Sequence, residues 1–436
     1  MRLMSTRGQV KEIGFQEALF QGLAPDGGLY HPVEVKDARA IFERLKPTAS
    51  FNEVAEELAK LWLLDEWEET SLKRIVERAF SFSPQLKEVG DYIYLLELFT
   101  GPSLAFKDFG ACFLAACMEE ILASRNRKAI ILVATSGDTG SAVARAFYGK
   151  KNIDVVILYP SGRVSFLQEK QLTTVGGNVF TLEVKGSFDD CQRMVKEAFI
   201  DDELKSSLTL TSANSINIGR LFPQAFYYIY GFLPFKGQVP DVVFCVPSGN
   251  FGNLTAGVYA WCWGLPVSQF IAATNINDVV PQYLKTAVYQ PRPSLQTLSN
   301  AMDVGNPSNF ERLLAIFNNK HQAMADLLWG EVVTDSETRK TISEVYHSHK
   351  VFLDPHTAVG YLAAKRYLAK HQHRPPIVIV LATAHPAKFS EIVEEVTGTK
   401  PPLPPALAEA LALPKRSLMI DNNLAALKDF LLKRFA

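Results

Sequence analysis

Lys107 stands in the run Ser103-Leu104-Ala105-Phe106-Lys107-Asp108, and Phe109-Gly110-Ala111-Cys112-Phe113-Leu114 follows it. Apolar flanks take an ammonium out of water, lower its pKa and leave a nucleophilic amine suited to Schiff-base chemistry. The same flanks also suit a lysine whose stem lies on apolar surface while its tip reaches solvent. On its own residues, both readings stay open.

Three polar loops could decide between them. Ser248-Gly249-Asn250-Phe251-Gly252-Asn253 separates an apolar run from a helical pattern. Its glycines let backbone N–H groups turn inward at a helix N-terminus, which would hold a phosphate monoester, although a plain tight turn has the same composition. Thr135-Ser136-Gly137-Asp138-Thr139-Gly140 offers hydroxyls and free amides to a carboxylate, and Ser136 or Asp138 would equally cap the helix that follows. In Ala382-Thr383-Ala384-His385-Pro386, the Thr383 hydroxyl could meet a ring nitrogen or merely finish a strand, with His385 a satisfied loop histidine.

The elements behind these loops follow from periodicity. Short branched apolar runs at 129–133, 155–159, 179–184, 241–246, 270–274 and 377–381 predict buried strands. Helical spacing marks 54–64, 71–79, 189–199, 254–263 and 423–434. Strands alternating with helices predict an α/β fold with mostly parallel sheets, and in such sheets the loops at the carboxyl ends of strands line the ligand crevice. The expected organisation is a mainly helical region over 1–90 and a first open α/β lobe over 91–240 carrying Lys107 and the 135–139 loop. A second lobe over 241–400 carries the 249–253 loop and Thr383, and a tail with a helix occupies 401–436.

Composition narrows the partners. Forty-five basic residues against 46 acidic ones leave a net charge of -1, so neither a nucleic acid nor an anionic membrane surface is expected to bind. Five scattered cysteines, none in a CxxC pair, argue against a disulfide framework or a cysteine zinc site and fit a reducing compartment. With no leader-like run at the start and no apolar stretch of spanning length, a cytoplasmic location is expected. No metal is expected, since His347-Ser348-His349 and His371-Gln372-His373 have no acidic or cysteine partner at a recognised spacing. Walker, GxSxG, HExxH and GxGxxG patterns do not stand out, which lowers nucleotide hydrolysis, esterase, zinc-protease and dinucleotide readings.

Taken together and in order, these pieces resemble the pyridoxal-phosphate enzymes of the tryptophan-synthase-β group (fold type II), and within it the threonine synthase family. The resemblance rests on Ser5-Thr6-Arg7-Gly8, Gly22-Leu23-Ala24-Pro25-Asp26-Gly27-Gly28-Leu29-Tyr30 and Pro102-Ser103-Leu104-Ala105-Phe106-Lys107-Asp108. It continues through Ala134-Thr135-Ser136-Gly137-Asp138-Thr139-Gly140, Ser212-Ala213-Asn214-Ser215-Ile216-Asn217-Ile218-Gly219-Arg220, Pro247-Ser248-Gly249-Asn250-Phe251-Gly252 and Ala382-Thr383-Ala384-His385-Pro386-Ala387-Lys388-Phe389.

The resemblance implies that Lys107 carries pyridoxal 5'-phosphate as a Schiff base and serves as the catalytic base. It implies that the amides of Gly249, Asn250, Phe251, Gly252 and Asn253 hold the cofactor phosphate, that Thr383 faces the pyridine nitrogen, and that Asp138 lies near the 3′-oxygen. Thr135, Ser136 and Thr139 would take the substrate carboxylate, and Asn214, Ser215 and Arg220 the phosphate of O-phospho-L-homoserine. The implied reaction loses phosphate from the γ-carbon and adds water at the β-carbon to give threonine, the last step of threonine biosynthesis. A dehydratase of the same fold would need no second anion site, and a silent relative would have no need of Lys107. Whether the chain is a monomer or a homodimer is left open.

Overall fold

Ala129-Ile130-Ile131-Leu132-Val133-Ala134 is apolar at every position, as a strand covered on both faces must be. In the computed structural model it forms the buried strand Ala129–Ala134, inside a five-stranded sheet. The structure describes residues 1–125, 128–135, 137–238 and 241–436. All pairings in the five-stranded sheet are parallel, in the order Leu418–Ile420, Val179–Val184, Ile153–Pro160, Ala129–Ala134, Leu210–Thr211. A six-stranded sheet runs Leu328–Val332, Gln269–Thr274, Val242–Pro247, Ile377–Ala382, Ile93–Glu97, Gln85–Glu88. Only its last pair is antiparallel.

The two-residue period of a strand sends alternate side chains to opposite faces. Ile131, Val133, Val155 and Ile157 from one sheet share a single core with Phe244, Val246, Phe270, Ile379 and Leu381 from the other. That core is filled by the helices Phe51–Leu63, Lys107–Arg125, Gln224–Phe232 and Gly252–Cys262. Residues of opposite parity face outward: Ile130, Leu132, Val156 and Leu158 pack on Phe188–Ile200 and Leu424–Phe435. Likewise Val243, Cys245, Val378 and Val380 pack on Asp335–His349 and Pro355–Lys370. The two lobes are thus joined by a shared central layer, and the helix headed by Lys107 lies within it.

Local signals set the helix starts. Ser50 and Glu53 form a reciprocal capping box before Phe51–Leu63, and Ser187 with Asp190 and Thr334 with Glu337 repeat it; each such cap contributes about 1 kcal/mol.

Three expectations about organisation change. The strand Ile93–Glu97, expected in the first lobe, pairs with Ile377–Ala382 in the six-stranded sheet, with Val378 opposite Ile93. The N-terminal region holds helices but also a three-stranded antiparallel sheet of Arg2–Ser5, Ile13–Gly14 and Tyr30–Pro32, whose strands are too short to show a period. The tail is no separate unit, because Leu418–Ile420 extends the five-stranded sheet and Leu424–Phe435 covers it. No helix among the described residues is long and apolar enough to cross a membrane.

Candidate active site

Lys107 opens the helix Lys107–Arg125 directly after a segment fastened to the six-stranded sheet. Ala105 forms an antiparallel bridge with Ala384, and the Phe106 N–H donates to the Thr383 carbonyl at 2.9 Å. Lys107 is therefore tethered at the carboxyl edge of the second lobe rather than the first, with the buried Thr383, just after Ile377–Ala382, hydrogen-bonded to Phe106 before the lysine. Protein surrounds the partly buried amine. Burial lowers its pKa, Asp138 opposes that shift, and the charges of Lys388 and Arg220 add to it. A lysine so placed is depressed toward nucleophilic behaviour.

Asp138, first residue of the helix Asp138–Phe147, is buried and forms an ion pair with Lys388 at 2.5 Å. Burial alone would raise its carboxyl, but the ammonium groups of Lys388 and Lys107 outweigh it and hold the group well below the usual carboxylate range. Gln168 Nε2 donates to the same oxygen at 3.2 Å. In the preceding turn, the Thr135 hydroxyl donates to the Gly137 carbonyl at 3.1 Å and accepts from the N–H groups of Gly137 and Gly140. Its hydroxyl shapes the loop, whereas Thr139 keeps partial exposure. Ser136 lies outside the described residues.

The glycine loop crowns Val242–Pro247. A Cβ on Gly249 would stand 2.5 Å from the Ala301 carbonyl oxygen and 2.8 Å from Met302 Cα, so no side chain fits there. Phe251 adopts a left-handed conformation (φ 59°), a strain of about 1–3 kcal/mol for a bulky residue of the kind concentrated at ligand sites. No side chain caps the helix Gly252–Cys262, and its first-turn amides lack intrahelical acceptors. Asn253 Oδ1 accepts from the Tyr227 and Tyr228 hydroxyls at 2.6 and 2.8 Å, which an aspartate could also do.

The 214–220 turn lies across from this loop. Asn250 Nδ2 donates to Ser215 Oγ at 2.7 Å, linking the two directly. Asn214 Oδ1 is buried without a partner, as is Arg220 Nε, while Arg220 Nη1 donates to the Ala213 carbonyl. Burial lowers the Arg220 pKa to about 10, so the guanidinium stays charged at neutral pH. Gly110 makes this closeness possible: a Cβ there would sit 2.3 Å from the Arg220 carbonyl oxygen. Only glycine lets the Lys107 helix pass so near Ile218–Leu221.

Several polar residues of the site were not singled out from sequence. Lys388 is one, and its ammonium also donates to the Ser103 carbonyl at 3.0 Å. It stands in the 382–389 motif that carries the resemblance, without a role of its own there. Another is the buried pair of Asp354 and His356, in which Nδ1 donates to Oδ2 at 2.6 Å and Nε2 accepts from the Ala301 N–H at 3.2 Å. That pair anchors the backbone packed against Gly249. His385 is a satisfied loop residue: burial lowers its pKa to about 4, and Nδ1 accepts from the Ala387 N–H.

A depressed lysine, a glycine cradle and a strand-end hydroxyl on this double α/β frame define a pyridoxal-phosphate-dependent enzyme. The family described as "Pyridoxal-phosphate dependent enzyme" matches residues 75–383, and those described as "Threonine synthase N terminus" and "Threonine synthase, C-terminal" match 2–80 and 357–431. The threonine synthase of Haemophilus influenzae is 43% identical over 435 residues, covering 99% of this chain and 100% of that one. A crystal structure of PLP-bound threonine synthase from Brucella melitensis has a TM-score of 0.92 at 36% identity, covering 100% of this chain and 99% of that one. The Escherichia coli threonine synthase structure gives 0.90 at 40% identity, covering 99% and 100%. The chain belongs to the threonine synthase family, enzymes of threonine biosynthesis.

The residues present fit the cofactor. The unpartnered Asn253 Nδ2 and the first-turn amides of Gly252–Cys262 form a cradle receptive to an anion, in a loop that Gly249 lets pack closely on Ala301 and Met302. The buried carboxylate of Asp138 and the amine of Lys107 supply polar groups for a ring that carries an aldehyde and a hydroxyl.

Proposed function

We propose that the chain converts O-phospho-L-homoserine and water into L-threonine and phosphate. One observation carries the reading: two elements receptive to anions, the 249–253 loop and the 214–220 turn, meet through Asn250 and Ser215 at 2.7 Å. Lys107 lies within electrostatic reach of Arg220. A β-eliminating dehydratase would have no use for the second cradle.

Pyridoxal phosphate, when bound, supplies an electron sink next to the substrate's α-carbon. The amides of Gly249, Asn250, Phe251, Gly252 and Asn253 would hold its phosphate and Lys107 its carbonyl carbon. Thr383 would face its ring nitrogen as a neutral hydroxyl, and Asp138 its 3′-oxygen. Lys107 takes and returns the proton at the α-carbon, a role suited to a burial-depressed amine. Asn214, Ser215 and Arg220 grip the substrate phosphate and stabilise it as it leaves the γ-carbon. Thr139, Ser136 and the loop amides receive the carboxylate, with Thr135 holding the turn in shape. Closure of the first α/β lobe over the substrate excludes bulk water while one water adds at the β-carbon, the proton lost from the β-carbon being matched by one gained at the γ-carbon. The five free cysteines and the near-neutral charge support a cytoplasmic enzyme acting on a small molecule without a nucleic-acid partner.

The purified protein is expected to be yellow, to bleach with borohydride, and to release phosphate and form threonine from O-phospho-L-homoserine in equal amounts. Colour without threonine formation would overturn the substrate, and a chain unable to take up the cofactor would overturn the whole reading. Arg220→Ala should raise KM for the phosphorylated substrate about 10- to 100-fold, the loss of a charge-assisted contact. An unchanged KM in steady-state assays would remove Arg220 from the site.

A further inference from the structure

Arg312, on the helix Phe310–Ile316, is fully buried, yet among the described residues its guanidinium hydrogen-bonds neutral oxygens alone. Nε donates to the Tyr30 carbonyl at 2.9 Å, Nη1 to Asn309 Oδ1 at 2.6 Å and Nη2 to the Ile216 carbonyl at 2.6 Å. Burial lowers its pKa to about 10, so it is charged at neutral pH. Glu311 attracts it through space without outweighing burial, and an anionic ligand nearby would offset the remaining cost.

Asn309 shows where such a ligand would sit. Arg312 occupies its Oδ1, which fixes the orientation of the amide, and its Nδ2 is buried without any partner. That nitrogen lies 3.2 Å from the point where a Cβ on Gly252 would stand, at the start of the helix Gly252–Cys262. The Asn309 N–H also donates to the Asn250 carbonyl at 3.3 Å, and Asn250 holds Ser215. The N-terminal signature secures this arrangement from behind, since Thr6 and Arg7 both bond Glu311, with Arg7 Nε at 3.2 Å.

We infer that Asn309, oriented by Arg312, is an anion-binding residue that donates its Nδ2–H to a phosphate monoester at the start of this helix, with Arg312 as the positive charge behind it. The inference rests on the 249–253 loop being a phosphate cradle. Both the cofactor and the substrate carry that chemistry, and the experiment separates them.

Asn309→Asp keeps the contact to Arg312, now as an ion pair, and puts a carboxylate oxygen where the free donor stood. Asn309→Ser serves as a second variant that lacks the donor without adding charge. The full chain stripped of cofactor is titrated with pyridoxal phosphate and with pyridoxal. The holoenzyme is then assayed for inhibition by inorganic phosphate and for KM. If Asn309 holds the cofactor phosphate, Asn309→Asp weakens pyridoxal phosphate about 10- to 100-fold and leaves pyridoxal unchanged. If it holds the substrate phosphate, the inhibition constant of phosphate and KM rise by that factor while cofactor affinity is kept. Either result supports the assignment. Unchanged values in both variants, where the wild type discriminates phosphate, overturn it. A wild type that binds pyridoxal as tightly as pyridoxal phosphate and ignores inorganic phosphate overturns the cradle reading as well.

Discussion

Lys107→Ala should lower turnover by a thousandfold or more, roughly the worth of a general base together with the amine that anchors the cofactor. The protein should nevertheless stay folded. Burial already works against a charged Lys107, so its removal takes away a poorly solvated group rather than a stabilising one. Nor does Asp138 lose its counter-charge, because Lys388 remains 2.5 Å away and Gln168 Nε2 3.2 Å away. The alanine leaves the Ala105–Ala384 bridge and the Phe106 N–H to Thr383 contact untouched, as neither uses the lysine side chain. Three measurements check this: kcat for threonine formation, the mass added after borohydride reduction, and the urea midpoint. The expected pattern is no turnover, no adduct and a midpoint near that of the wild type. Turnover within tenfold of the wild type would remove Lys107 from the chemistry.

Lys388→Met should have the largest effect on stability. It breaks an ion pair whose side chains are 0% and 5% exposed and leaves the Asp138 carboxylate buried with the neutral Gln168 amide and the depressed amine of Lys107. Breaking one partner of a buried pair costs about 3–5 kcal/mol. The pH dependence follows from the direction of the Asp138 shift. Its folded pKa lies below its unfolded value of about 3.9. The stabilisation is therefore complete above that pH and fades as pH falls toward the folded pKa. Urea titrations should show a constant gap between wild type and variant from about pH 5 to 8, narrowing below about pH 4. Asp138→Asn combined with Lys388→Met should recover most of the loss, since no buried charge is then left alone. A double variant as unstable as Lys388→Met alone would show that Lys388 acts through something other than Asp138.

The strands at 129–134, 153–160 and 242–247 were legible because a parallel strand covered on both faces is apolar throughout, and local composition carries that signal. The glycine loop was legible for a similar reason: close backbone approach admits no Cβ, and Gly249 has none to offer. Sheet membership was not legible. Ile93–Glu97 has the composition of any buried strand, and nothing within it names Ile377–Ala382 as its neighbour rather than Ala129–Ala134. Lys388, though within the 382–389 motif, showed no role, because a lysine after Pro386-Ala387 looks like a surface residue until the fold brings Asp138 to it. Asn309 and Arg312 were hidden for the same reason, since Phe310-Glu311-Arg312 has the look of an ordinary exposed helix start. Lone polar residues acquire meaning from partners far away in the chain, whereas glycine turns and apolar runs carry theirs locally.

The pairing of Ile93–Glu97 with Ile377–Ala382, and of Leu418–Ile420 with Val179–Val184, bears on how the protein is made. A ribosome delivers the early strands long before their neighbours, so neither sheet can be completed until nearly all of the chain has emerged. Sequential folding, lobe after lobe, is therefore blocked, and long-range parallel pairing is slow even after release. During synthesis the edges of Ile93–Glu97 and Val179–Val184 wait uncovered, which exposes the nascent chain to aggregation. A chain stopped before residue 418 would carry the second of these open edges permanently.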